Sequence, residues 1–219
     1  MTNQIDDSIK RTMAFWYADG VAELCMGVVF LLLGAVLLVE GPAPRGSTLA
    51  AVMPALRYLV IIGGTIGIGV ALRYLKLNVT YPRSGFVFYN KPPVKEMIPG
   101  IFGAVSLTLM LDQWIQVGMP EKLSWYIWLM AGLTIFFGYL FIAIARQTGF
   151  RRIQALAAIT IISGMLLGGT GWVAALNDSI RSMLLGPGLF FIAIGTACSV
   201  SGAATFRGFM HQTRSGELA

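Results

Sequence analysis

Charge is scarce in this chain: 12% of its 219 residues are Asp, Glu, Lys or Arg, about half the share of an ordinary soluble domain. With 56% hydrophobic residues, a water-soluble core would leave a large sticky remainder of apolar surface. The deficit therefore excludes a soluble globular enzyme, a disordered chain and a nucleic-acid binder. Histidine is nearly absent. The single one, His211, lies in the C-terminal segment and makes neither a catalytic dyad nor a metal centre. Cys25 and Cys198 both lie inside apolar runs without metal-ligand spacing, so they read as buried free thiols rather than a disulfide or a metal site. There is no P-loop, no GxGxxG after a strand, no HExxH and no GxSxG. No apolar run holds the histidine that a serine or cysteine nucleophile normally needs. No enzymatic activity, cofactor or metal is expected.

What is present is hydrophobic length. Six stretches reach the roughly 20 residues that cross a hydrocarbon core as helix: Ala18–Val39, Ala51–Leu72, Met97–Ile115, Leu123–Ala145, Ile153–Leu176 and Met183–Thr205. They are continuous rather than alternating, which favours helices over barrel strands. Turn residues separate them: Gly41 to Pro44, Pro120 to Lys122, and Asn177-Asp178. Gly186-Pro187-Gly188 reads as the start of the sixth, with proline in a first helical turn. The expected fold is an all-α polytopic bundle of six transmembrane helices over residues 18–205. An N-terminal segment (1–17) precedes it and a tail (206–219) follows.

Net charge is +6, and the basic residues are unevenly placed. Lys10, Arg11, Arg73, Lys76, Arg83, Lys91, Lys95, Arg146, Arg151, Arg152, Arg207 and Arg214 fall on one side. Arg45, Arg57, Lys122 and Arg181 fall on the other. The positive-inside rule then places both termini in the cytoplasm and the protein in the cell membrane, with membrane lipid as its first partner. The N-terminal segment does not read as a cleaved signal. Ile5, Ile9, Met13 and Trp16 recur at helical spacing, which fits an amphipathic surface helix; a frayed polar tail is the alternative. The connection 73–96 holds two short β-prone runs, Asn78 to Tyr81 and Phe86 to Tyr89, around Pro82-Arg83-Ser84-Gly85. A type I turn there would pair Tyr81 with Phe86 and Val79 with Phe88 in a small basic hairpin carrying Arg83. Such a hairpin packs on its own bundle or docks a partner.

Charges within spans are expensive and are usually paired or functional. Asp19 and Glu23 lie four residues apart at the inner end of the first span. They suit a cation, a proton relay or an ion-paired cap on Arg73, Lys76 and Arg146, and ion pairing is preferred. Arg57 and Asp112 fall at similar depth near the outer ends of antiparallel spans, so an outer ion pair is expected. The span centres carry no ionisable residue, but two Gly-Gly-Thr sequences sit near mid-span: Gly63-Gly64-Thr65 and Gly168-Gly169-Thr170. Matching glycine breaks in two three-helix halves are the sequence pointer to an inverted-repeat transporter site. Close helix packing through GxxxG pairs (Gly63/Gly67, Gly164/Gly168) and the heptad Gly20, Gly27, Gly34 accounts for the same glycines without transport. Two readings follow: a small permease for a neutral or weakly polar solute, or an accessory or scaffold subunit. The second would bind itself or other membrane proteins through glycine-rich faces and the basic hairpin.

Overall fold

The structure, a computed structural model, describes residues 17–41, 47–80, 119–176 and 182–214. Every regular element among them is helical, and no strand occurs among the described residues. Apolar runs of this length have no water with which to satisfy backbone groups in lipid, and a helix satisfies them internally. α1 is Val21–Glu40. A second, continuous helical rod contains α2 (Thr48–Tyr58), a π-helical turn at Leu59–Gly63, α3 (Gly64–Leu75) and a second π-helical turn at Lys76–Thr80. α4 is Met119–Thr148, α5 is Arg151–Leu176 and α6 is Ser182–Arg214. Among the described residues, five helices are long and apolar enough to cross a membrane, which is compatible with a multi-pass membrane protein. The expected span Met97–Ile115, the segment 1–16 and the tail beyond Arg214 lie outside the described residues.

Three boundaries differ from expectation. Asn78, Val79 and Thr80 are helical rather than the first strand of a hairpin. Their turn is held by Asn78 Nδ2, which donates to the Tyr74 carbonyl at 3.0 Å, and by the buried contacts of Lys76 and Thr80 described below. The pairing of Val79 with Phe88 is thereby lost, while Tyr81, Arg83, Phe86 and Phe88 lie outside the described residues. Pro187 sits inside α6 instead of opening it. Flanking Gly186 and Gly188 let α6 approach Tyr126 of α4 and Leu38 of α1, so packing holds the helix across the missing N–H. Finally, the helix of the sixth span continues to Arg214, so Arg207 and His211 of the expected tail are helical.

The closest packing joins α1 to α6, which run antiparallel. Gly20, Gly27 and Gly34 on α1 meet Gly202, Gly195 and Gly188 on α6, in that order. A Cβ on Gly20 would fall 2.6 Å from the Gly202 carbonyl oxygen. One on Gly34 would fall 2.8 Å from that of Gly188, and one on Gly195 would fall 2.7 Å from the Leu31 backbone nitrogen. Backbone against backbone is the small-residue mode of helix association in membranes. Beside this seam, Phe30, Phe137, Phe190 and Phe191 form an aromatic cluster, several pairs of it edge-to-face at 5.2 to 5.8 Å. α4 packs along α5, and α5 also contacts α6. The α2–α3 rod is peripheral. It leans on α1 and buries 11% of its span, against 44% for α1.

Candidate functional site

The site is built from the acids of α1 and their partners. Tyr17 and Ala18 are helical, but the backbone turns at Asp19 and Gly20, where Gly20 adopts φ +71°. A left-handed residue ends a helical turn and favours glycine, and here the Gly202 and Thr205 contacts also leave no room for a Cβ. Asp19 then starts the next helix: its Oδ1 accepts the Val21 N–H at 3.2 Å. Because the break falls between them, Asp19 and Glu23 do not share one face of one helix as their spacing predicts. They point to different neighbours.

Asp19 faces the end of the peripheral rod. Lys76 Nζ lies 3.3 Å from its Oδ2, and Thr80 Oγ1 donates to the same oxygen at 3.1 Å. All three side chains are buried. The π-helical turn spans these two ligands. A wider turn brings residues four apart closer to a common direction, so Lys76 and Thr80 converge on one carboxylate oxygen. Glu23 faces the other half of the bundle. Its Oε1 lies 3.0 Å from Arg152 Nε at the start of α5, and its Oε2 accepts the Ser201 hydroxyl of α6 at 2.7 Å. Arg152 also donates to Thr205 Oγ1 at 2.8 Å and to the Tyr17 carbonyl, and its guanidinium stacks 4.7 Å over the Phe150 ring. Gly149 (φ +73°) closes α4 and reverses the chain so that α5 can begin with this arginine. Burial and the Glu23 charge raise the Tyr17 phenol above its ordinary value.

Asp19, just before α1, and Glu23 on α1 thus tie the π-helical turn Lys76–Thr80, α5 and α6 together at one rim. At the opposite rim, Arg57 Nη1 donates to both oxygens of Glu40, at 3.0 and 3.2 Å, so α1 is tied to α2 there as well. Arg57 is fully buried and also sits 5.8 Å from the Tyr58 ring centroid. Asp112, its expected partner, lies outside the described residues. Of the cations expected around Asp19 and Glu23, Lys76 is in place, whereas Arg73 and Arg146 are exposed and Arg152 takes the second position. Spacing alone could not rank Arg152 over Arg146, because the turn between them decides which one points inward. Glu40 closes the first apolar run at the depth of Arg57, a placement that marks it in the sequence as a partner for that arginine.

The two Gly-Gly-Thr sequences meet different helices. Gly64 packs against Val29 of α1, with a would-be Cβ 2.7 Å from the Val29 Cγ1, while Gly63 and Gly67 have no such neighbour within 4 Å among the described residues. The Thr65 hydroxyl donates to the Ile61 carbonyl at 2.7 Å within its own helix. Gly168 lies over Met130 of α4. The side chains of Gly169 and Thr170 lie outside the described residues. Next to Gly168, Tyr126 is buried and its hydroxyl donates to the Leu167 carbonyl at 2.8 Å. Both cysteines are free thiols; Cys198 is buried and Cys25 half-buried.

Comparison with protein-family models, curated proteins and solved structures finds no match to this chain. Its function is argued from its own geometry.

Proposed function

We propose that this protein is an accessory or scaffold subunit of the cell membrane, with six spans, both termini cytoplasmic, and no catalytic activity of its own. The observation that carries the reading is the outward face of the α2–α3 rod. Gly63 and Gly67 form a GxxxG pair with no neighbour within 4 Å of either would-be Cβ among the described residues, and the face continues through exposed Ile66 and Val70. Flat glycine faces let a second helix approach closely, and van der Waals contact drives such association in lipid. The rod itself is clamped at both rims, by Glu40–Arg57 and by Asp19–Lys76–Thr80. A rigidly held helix presenting a small-residue face suits a partner's transmembrane helix, from another protein or from a second copy.

A permease is the second reading, favoured by the π-helical turn that ends at Gly63, directly before Gly64 and Thr65. π-helical turns within otherwise α-helical segments are frequent at functional sites. It ranks second because the Thr65 hydroxyl is committed to Ile61 and Gly64 to Val29. The distinguishing experiment is cysteine cross-linking in native membranes, in a Cys25→Ala, Cys198→Ala background. Val70→Cys should give intermolecular adducts that Gly67→Leu suppresses, whereas Val200→Cys, 64% exposed on α6, should not. Adducts at both positions alike would defeat the subunit reading, as would an intrachain disulfide in a chain that carries Val70→Cys and a second cysteine introduced at Leu107. Solute flux from the purified protein in liposomes would favour the permease.

A further inference from the structure

Between α4 and α5 runs an apolar groove of about 680 Å³, lined on α4 by Met130, Thr134, Gly138 and Ile142 and on α5 by Ile161 and Met165. It is within the size range of small-molecule sites. The Thr134 hydroxyl donates to the Met130 carbonyl at 2.6 Å, so it offers the groove little polarity. On α4 the lining extends from Ile127 to Ile142, about 22 Å at ~1.5 Å per residue. That exceeds the ~15 Å depth of one leaflet of a ~30 Å hydrocarbon core.

The groove is oriented by charge. Arg146 lies four residues beyond Ile142, on the same face of α4. Arg151 lies two heptads before Met165, close to the same face of α5. The turn through Gly149 brings these two helix ends together. Both arginines are exposed, and neither has an acidic partner among the described residues. The acids of that rim among the described residues, Asp19 and Glu23, are buried and committed to Lys76 and Arg152. The geometry points to a seat for one anionic phospholipid: an acyl chain in the α4–α5 groove and the phosphate headgroup on Arg146 and Arg151. Two exposed cations with no acidic partner among the described residues select a net-negative headgroup, and the apolar groove selects a lipid over a free phosphate.

The test is native mass spectrometry of the full-length protein in mild detergent, titrated with phosphatidylglycerol or with phosphatidylcholine of the same chains. Wild type should retain one phosphatidylglycerol and bind it at least fivefold more tightly than phosphatidylcholine. Each arginine near a lipid surface contributes about fivefold, so R146Q/R151Q should weaken phosphatidylglycerol roughly twenty-five-fold. Ala131→Phe, which fills the groove without touching charge, should weaken both lipids. Unchanged melting temperatures of these surface variants certify their fold. Equal retention by wild type and R146Q/R151Q overturns the headgroup assignment. Full retention by Ala131→Phe, or complete displacement by millimolar glycerol phosphate, overturns the acyl-chain seat.

Discussion

Arg152→Met leaves the Glu23 carboxylate, 2% exposed, with the Ser201 hydroxyl but without its cation. Breaking a buried pair by removing one partner costs about 3–5 kcal/mol when the survivor stays buried and charged. The reverse change, Glu23→Gln, is milder. The amide oxygen still accepts from Ser201, and Arg152 is 26% exposed and keeps its bonds to Thr205 and the Tyr17 carbonyl. Its surviving charge reaches solvent, so the cost falls toward the surface range, about 1–2 kcal/mol. The double variant should therefore cost clearly less than the sum, with a coupling on the order of 2 kcal/mol. The assay is reversible unfolding in bicelles with a denaturing detergent, followed by circular dichroism. If Glu23→Gln costs as much as Arg152→Met, or if the two add to within about 0.5 kcal/mol, the pair does not hold α1 to α5 and the reasoning fails.

Three further outcomes follow from the packing and the titration. Gly195→Ala should destabilise by about 1–2 kcal/mol despite alanine's better helix propensity, because its Cβ meets the Leu31 backbone nitrogen and the Gly27 carbonyl oxygen at 2.7 and 3.0 Å; Gly132→Ala, with nothing within 4 Å, should be neutral or stabilising on the same assay. Tyr126→Phe should lose about 1 kcal/mol with its bond to Leu167. It should also reduce the cost of Gly186→Ala, since the hydroxyl is the atom that blocks a Cβ there, a coupling read from a double-mutant cycle. The Tyr17 phenol is raised in the folded state, so the native protein keeps a proton that the unfolded chain releases near pH 10. Stability is then unaffected below that pH and falls as pH rises through it; Tyr17→Phe should flatten the fall in a pH series of melting temperatures.

Hydropathy made the helical class and five long apolar helices legible, because a segment surrounded by lipid must be apolar all along its length. Partnership was harder to read. The heptad Gly20, Gly27, Gly34 stands out in the sequence, but nothing in its own span points to Gly188, Gly195 and Gly202 as its counterpart. Reading one span at a time gives no reason to pair the first with the last. The charged partners split in the same way. Lys76 is among the cations that spacing offers to Asp19, while the place of Arg152 depends on the left-handed turn at Gly149 and on Gly20 dividing Asp19 from Glu23. The strand expected at Asn78 to Tyr81 rested on β-branched residues, and tertiary contacts of Lys76 and Thr80 with Asp19 overrode that preference.

The glycine seam between α1 and α6 has a consequence for how the chain finds its register. Each of the three pairs repeats every seven residues on both helices, so the interface resembles a ratchet with equivalent notches. Sliding α6 by one notch, about 10.5 Å at ~1.5 Å per residue, still matches two of the three glycine pairs. Glycine contacts alone therefore discriminate poorly between the native alignment and its neighbours. The notches differ in what they set opposite Glu23. In the native one it is the Ser201 hydroxyl; one notch to either side brings Ile194 or Gly208 to that level. Neither offers a hydrogen bond to the carboxylate, so a single buried acid makes one notch of a repeating seam the stable one.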